Sequence, residues 1–134
     1  NREIKIIIKI EKEITNAELE KICQNNLYDM ILVDRGEMGV NMPFERLGIY
    51  QKNIMAIAKR FNKQILISTQ TLDSTIDNFV PSRSDILDLT NTVLDGAAGI
   101  VLSKETGDSR RPVYAIAVAK KIIYETEKYK YNQK

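Results

Sequence analysis

The stretch KIIIKIEKEITNAELEKIC, Lys5 to Cys23, joins two periodicities that belong to different elements. Aliphatic residues run without a break from Ile6 to Ile8 and resume at Ile10, the pattern of a buried strand over Ile4 to Ile10. Thr15-Asn16-Ala17-Glu18 then reads as a capping box, and Leu19, Ile22 and Cys23 supply one apolar helical face. The same strand-then-helix unit recurs three times. Strand-like runs at Met30 to Val33, Ile65 to Ser68 and Ile100 to Leu102 each precede helix-like sequence. After the second run, Pro43 suits a first helical turn, followed by Leu47, Tyr50, Ile54, Ile57 and Phe61. After the third, Pro81-Ser82-Arg83-Ser84 starts a helix carrying Ile86, Leu89 and Val93, with a stop at Gly96. After the fourth, Pro112 opens a helix expected to bury Val113, Ile116, Ala119, Ile122 and Ile123. The tail from Glu127 to Lys134 is polar and is expected to fray.

Four βα units, with about 35 residues between the later strands, suit right-handed crossovers and parallel strands. The class is α/β. Two architectures satisfy it, an open doubly wound sheet and a segment of an eight-stranded (βα) barrel, and periodicity does not choose between them.

The 134 residues fit a single domain able to bury roughly two-thirds of its unfolded surface. Hydrophobic residues at 43% and charged residues at 28% exclude disordered and collagen-like classes. A net charge of +2 with interspersed signs argues against nucleic acid as a partner, and no run approaches a membrane span. Residues 1 to 10 do not resemble a signal peptide, because charges interrupt the apolar core. The single cysteine, Cys23, is expected as a buried thiol in a reduced compartment. With no histidine, chemistry must run on carboxylates, lysine, hydroxyls and backbone groups. The opening residue is not Met and lies in strand-like sequence, which suggests a fragment of something longer.

Polar residues gather at the C-terminal ends of all four strands: Lys9 and Glu11, then DRGEMG from Asp34, then STQ from Ser68, then SKET from Ser103. In both parallel architectures that edge binds ligands. Alternation puts Lys9 and Glu11 on one face and Ile8 and Ile10 on the other. Glu37 with Glu11 could hold a hard metal ion, although a solvated loop carboxylate explains Glu37 as well. Gly36 and Gly39 would let backbone N–H groups approach an anion, or simply form turns. Thr69, Ser103 and Thr106 could position a carboxylate or relay a proton, or cap helices.

Taken in order, these stretches resemble pyruvate kinase. Lys9-Ile10-Glu11 matches the family's Lys-Ile-Glu, and Asp34-Arg35-Gly36-Glu37-Met38-Gly39 its Ala-Arg-Gly-Asp-Leu-Gly. Ser68-Thr69-Gln70-Thr71-Leu72-Asp73-Ser74 parallels Ala-Thr-Gln-Met-Leu-Glu-Ser, and Pro81-Ser82-Arg83-Ser84-Asp85 parallels Pro-Thr-Arg-Ala-Glu. Asp95-Gly96 matches Asp-Gly, and Ser103-Lys104-Glu105-Thr106 with Pro112 matches Ser-Gly-Glu-Thr and its later proline. Three departures stand out: Asp34 for alanine, Glu37 for aspartate and Lys104 for glycine.

The resemblance implies strands five to eight of a (βα)8 TIM barrel, a (βα)4 half over residues 1 to 126, followed by the tail. It implies phosphoryl transfer from phosphoenolpyruvate to ADP, giving pyruvate and ATP in glycolysis, with Mg²⁺ or Mn²⁺ and with K⁺ ligands lying outside this chain. Lys9 would face the phosphoryl group and the enolate oxygen, while Glu11 and Glu37 would ligate the metal. Backbone N–H groups of Gly36 and Glu37, and Thr69, would hold the substrate carboxylate. Ser103 and Glu105 would belong to the side that delivers a proton to the enol. The family's phosphate-gripping arginine and much of its nucleotide pocket lie outside these residues, so the fragment alone would be inactive.

A homo-oligomer, tetrameric for the full-length family, and a cytoplasmic location are implied too, or an organelle if a targeting peptide precedes Asn1. The alternatives are a non-catalytic half-barrel pairing its open edges with another copy, another phosphoenolpyruvate or pyruvate barrel such as a metal-dependent aldolase, and a small doubly wound binding module.

Overall fold

The computed structural model describes residues 4–133. Its elements alternate along the chain. Strand β1 (Ile7–Ile10) leads to helix α1 (Asn16–Gln24), β2 (Met30–Asp34) to a short α2 (Arg35–Asn41) and a long α3 (Phe44–Arg60), and β3 (Gln64–Ser68) to α4 (Arg83–Asp95). Strand β4 (Gly99–Val101) then leads to α5 (Lys104–Gly107) and α6 (Pro112–Asn132). All pairings are parallel, in the order β1-β2-β3-β4, with Lys9 beside Leu32, Asp34 beside Ser68, and Ser68 beside Val101.

That order decides between the two architectures. A doubly wound sheet reverses its strand order at a switch point and carries helices on both faces, whereas a barrel adds each strand beside the last in one direction. Here there is no reversal. One face of the sheet, made by Ile10, Ile31, Val33, Ile65 and Ile67, is buried with Leu19, Cys23, Tyr50, Ile54 and Ile57 of α1 and α3. A second cluster joins Leu89 and Val93 of α4 to Ala119 of α6, with Ile100 of β4 packed against it. Met30, Leu32 and Leu66, on the opposite face, are only partly covered.

Local signals act as expected at most boundaries. Thr15 accepts from the Glu18 N–H while the Glu18 carboxylate accepts from Thr15, a closed capping box that also holds the Glu18 carboxyl below its usual range. Ser82 caps α4, and Gly96 ends it in the left-handed conformation at φ 101°. Cys23 is buried, and burial pushes its thiol up.

Five expectations need correction. The DRGEMG segment is not a loop, because Asp34 caps a helix that contains both Gly36 and Gly39. Pro43 stands at the N-cap of α3, one position before its first turn. Val113 and Ile116 are exposed; of the expected face, Ala119 is buried and Ile122 and Ile123 are half-buried against the α4 cluster, and α6 also buries Ala115 and Thr126. Ile116 lies with Ile100 and Leu102 along an open apolar groove at the β4 edge, where no further strand among the described residues covers them. Nor does the helix fray at Glu127: α6 continues to Asn132, since Glu, Lys and Tyr tolerate an exposed helix and Lys130 reaches the Val93 carbonyl at 3.5 Å. Lys134, the last residue of the expected tail, lies outside the described residues. At the other open edge, the first part of the expected strand is uncovered, with Ile4 76% exposed and Ile6 and Ile7 also exposed.

Candidate active site at the strand ends

Because the strands are parallel, their C-terminal ends bring the polar residues together from four directions. Lys9 sits at the centre of the charges. Its Nζ lies 2.7 Å from Glu11 Oε1 and 3.0 Å from Asp34 Oδ2. The hydrogen bonds Lys9 donates to Glu11 and then to Asp34 raise its ammonium well above the usual value. Lys9 therefore stays a cation at any physiological pH, suited to stabilising negative charge and unsuited to accepting a proton. Burial alone would push the Asp34 carboxyl up, but its bonds to Lys9 and Thr69 outweigh burial and hold it below the usual range.

Asp34 is the hub. Oδ1 accepts from the Thr69 hydroxyl at 2.9 Å and from the Gly36 N–H at 3.2 Å. Thr69 reaches that position only because the backbone turns sharply after β3, with φ 72° at Thr69 and 52° at Gln70. These are left-handed values that non-glycine residues rarely adopt, β-branched Thr69 least of all, at a cost on the order of 1–3 kcal/mol each. Arg35 holds the turn. Its guanidinium donates to the carbonyls of Ser68, Thr69 and Gln70 and makes a bidentate pair with Asp88 of α4 at 2.9 and 2.7 Å. Arg35 was not among the residues singled out from the sequence; nothing in its position after Asp34 signals three carbonyls more than thirty residues away.

A cavity of about 380 Å³ opens beside this cluster, lined by Asp34, Gly36, Glu37, Thr69, Gln70, Ser103, Lys104 and Glu105 among others. Thus Gly36, Glu37, Thr69, Ser103 and Glu105 meet at one place. Lys9 and Glu11 do not line the cavity but join it through Asp34. Lys104 is exposed at the start of α5, and no positive φ occurs there, so the backbone does not need a glycine at that position. Glu105, by contrast, is 1% exposed. Its Oε1 accepts from the N–H groups of Thr71 and Leu72 at 3.0 and 3.2 Å, and its Oε2 from that of Ser103 at 2.9 Å. It ties the turn after β3 to the turn after β4, so in this state it positions the cavity wall, while the exposed Ser103 can reach a ligand.

Glu11 and Glu37 fit a hard divalent cation by their chemistry. Asn41 Nδ2 donates to the backbone carbonyl of Glu37 at 2.8 Å and to that of Glu11 at 3.3 Å, pinning the two segments at one corner. Both side chains are exposed. Among the described residues no three Asp, Glu, His or Cys side chains gather as a metal-binding group. The protein would supply two oxygens, and substrate and water the rest, the arrangement Mg²⁺ ordinarily takes.

Gly36 has a steric role that can be tested. A Cβ there would lie 2.9 Å from Thr69 Cγ2 and 3.3 Å from Thr69 Oγ1, against a side chain that the Arg35-held turn cannot easily release. Alanine in place of glycine gains up to about 1 kcal/mol of helix propensity, but overpacking costs about 1–3 kcal/mol. We expect Gly36→Ala to lower stability by about 1 kcal/mol, read from the urea midpoint at unchanged slope. A variant as stable as the parent would mean that the Thr69 turn yields.

The pyruvate kinase barrel-domain family matches residues 1–116. The pyruvate kinase of Thermotoga maritima is 38% identical over 127 residues, covering 95% of this chain and 27% of that protein. That of Mycobacterium tuberculosis is 36% identical over 126 residues, covering 94% and 26%. The crystal structure of Cryptosporidium parvum pyruvate kinase matches with a TM-score of 0.83 and 33% identity, over 93% of this chain and 25% of that one. The chain therefore spans about a quarter of the length of these relatives. Family match, identity and superposed backbone agree: the chain belongs to the pyruvate kinase family, and it carries part of the barrel domain, four consecutive βα units of a half TIM barrel.

Proposed function

We propose that this chain is the metal-and-lysine side of a pyruvate kinase active site, which transfers the phosphoryl group of phosphoenolpyruvate to ADP. The observation that carries the reading is the convergence of Lys9, Thr69 and Gly36 on Asp34 at the C-terminal ends of parallel strands, with Glu11 paired to Lys9 and Glu37 lining the adjoining cavity. Lys9 neutralises charge on the phosphoryl group and on the enolate oxygen as the P–O bond breaks. The N–H groups of Gly36 and Glu37, with the Thr69 hydroxyl, hold the substrate carboxylate. Glu11 and Glu37 would hold Mg²⁺ or Mn²⁺, which when bound would supply positive charge at the site. Ser103 lies on the side from which the enol is protonated to pyruvate, with Glu105 fixing the loop that carries it. K⁺, the nucleotide pocket and the homo-oligomer belong to the proposal for the whole protein, whose place is the cytoplasm. No helix among the described residues is long and apolar enough to cross a membrane.

The test is ATP formation from phosphoenolpyruvate and ADP by the full-length protein. Activity should appear with Mg²⁺ or Mn²⁺ and vanish on chelation. If pyruvate does not form with the metal present, the reading is wrong; a metal-dependent aldolase would instead cleave or condense a pyruvate-containing substrate without ADP.

A further inference from the structure

Three donors that the proposed function assigns to the substrate are turned, in this chain, toward one of its own carboxylates. The Lys9 ammonium is 3.0 Å from Asp34 Oδ2, and the Thr69 hydroxyl and Gly36 N–H reach Oδ1 at 2.9 and 3.2 Å. The Asp34 side chain is 15% exposed and forms part of the cavity wall. Helix capping explains only one of the three contacts, the one from Gly36. The Lys9 and Thr69 contacts go beyond what a cap needs, and they use up both carboxylate oxygens. Two anions cannot share one set of donors without a large electrostatic cost.

We propose that Asp34 is an internal anion occupying the seat of the substrate carboxylate, so that an incoming anion binds only by displacing it, and that Asp34 thereby sets the affinity of the site. The inference rests on the reading above for the identity of the substrate, but not for the occupied seat. An uncharged side chain at this position would leave Lys9 with Glu11 alone and free Thr69 and Gly36 for a ligand. The chemical class that competes is a small anion bearing a carboxylate or phosphate.

Inorganic phosphate is the simplest probe. It is titrated into the ¹⁵N-labelled chain while the Gly36 and Thr69 amides are followed, for the parent, Asp34→Asn and Asp34→Ser. Both replacements keep an oxygen that can cap α2, so a purely structural role would leave phosphate affinity unmoved. Removing the competing charge is expected to tighten phosphate about ten-fold or more, with the Gly36 amide shifting on binding. Equal affinity in all folded variants would overturn the inference; having two variants guards against one failing to fold. Phosphoenolpyruvate titrated in parallel separates the two claims. If phosphate tightens but phosphoenolpyruvate shows no preference over phosphate in any of the three proteins, the self-occupied seat stands and the assigned substrate falls. If the full-length parent turns over phosphoenolpyruvate while neither variant gains affinity, the function stands and the role of Asp34 falls.

Discussion

Glu105→Ala is expected to lower stability by about 3 kcal/mol, enough to move the melting temperature by about 10 °C. The reason is the number of groups it satisfies. One nearly inaccessible carboxylate accepts from the N–H groups of Thr71, Leu72 and Ser103, and alanine leaves all three without that acceptor. An unsatisfied buried donor costs about 1–3 kcal/mol. Water entering from the adjoining cavity recovers some of that, so the net falls well short of the sum. Set against about 5–15 kcal/mol for a whole domain, the loss is large. Glu105→Gln should fall between, since its carbonyl oxygen can still serve Thr71 and Leu72 while its amide faces the Ser103 N–H with a donor. Thermal or urea unfolding of the chain measures all three proteins. An alanine variant that melts with the parent would show that the two turns are held by something else, and would return Glu105 to a purely chemical role.

Lys9→Ala has its large effect on rate. In the full-length protein it should reduce kcat by about 10²–10³-fold, the usual consequence of removing one preorganised group that faces transition-state charge. The metal and the carboxylate seat remain, so KM should change far less than kcat. Folding should barely notice, because Lys9 is solvent-exposed and its ion pairs are screened. Lys9→Arg keeps the charge but replaces a compact ammonium with a planar fork, and should rescue only part of the rate. If Lys9→Ala retained normal turnover, the assignment of the lysine would be wrong, whatever the fate of the metal ligands.

Half of the contrast between these two residues is readable in the order of amino acids. Lys9 and Glu11 lie two apart on a strand, and strict alternation places them together opposite Ile8 and Ile10. The structure keeps that arrangement, with Ile10 buried and Lys9 at the surface. Capping and stop signals at Thr15, Ser82 and Gly96 act within three or four residues, so they too are legible without a fold. The four βα units, and with them the class and the edge where polar residues gather, follow from the same local physics. Motifs in series then pointed to the family, which the matched barrel domain bears out.

Tertiary structure alone decided the rest, because the deciding contacts join residues far apart in the chain. The unreversed order β1-β2-β3-β4, which selects a barrel over a doubly wound sheet, is a fact about pairing between strands. Exposure of Ile116 goes with its place in the groove along the β4 edge, and helical periodicity cannot carry that information. Arg35 spans more than thirty residues to hold the Thr69 turn, and Glu105 spans a similar distance to Thr71 and Leu72. Asp34, in sequence a departure from the family's alanine, is the group that Lys9, Thr69 and Gly36 all face. Local order supplies which groups exist and which face each takes. Only the packing of the four strand ends determines which of them satisfy one another before any ligand arrives.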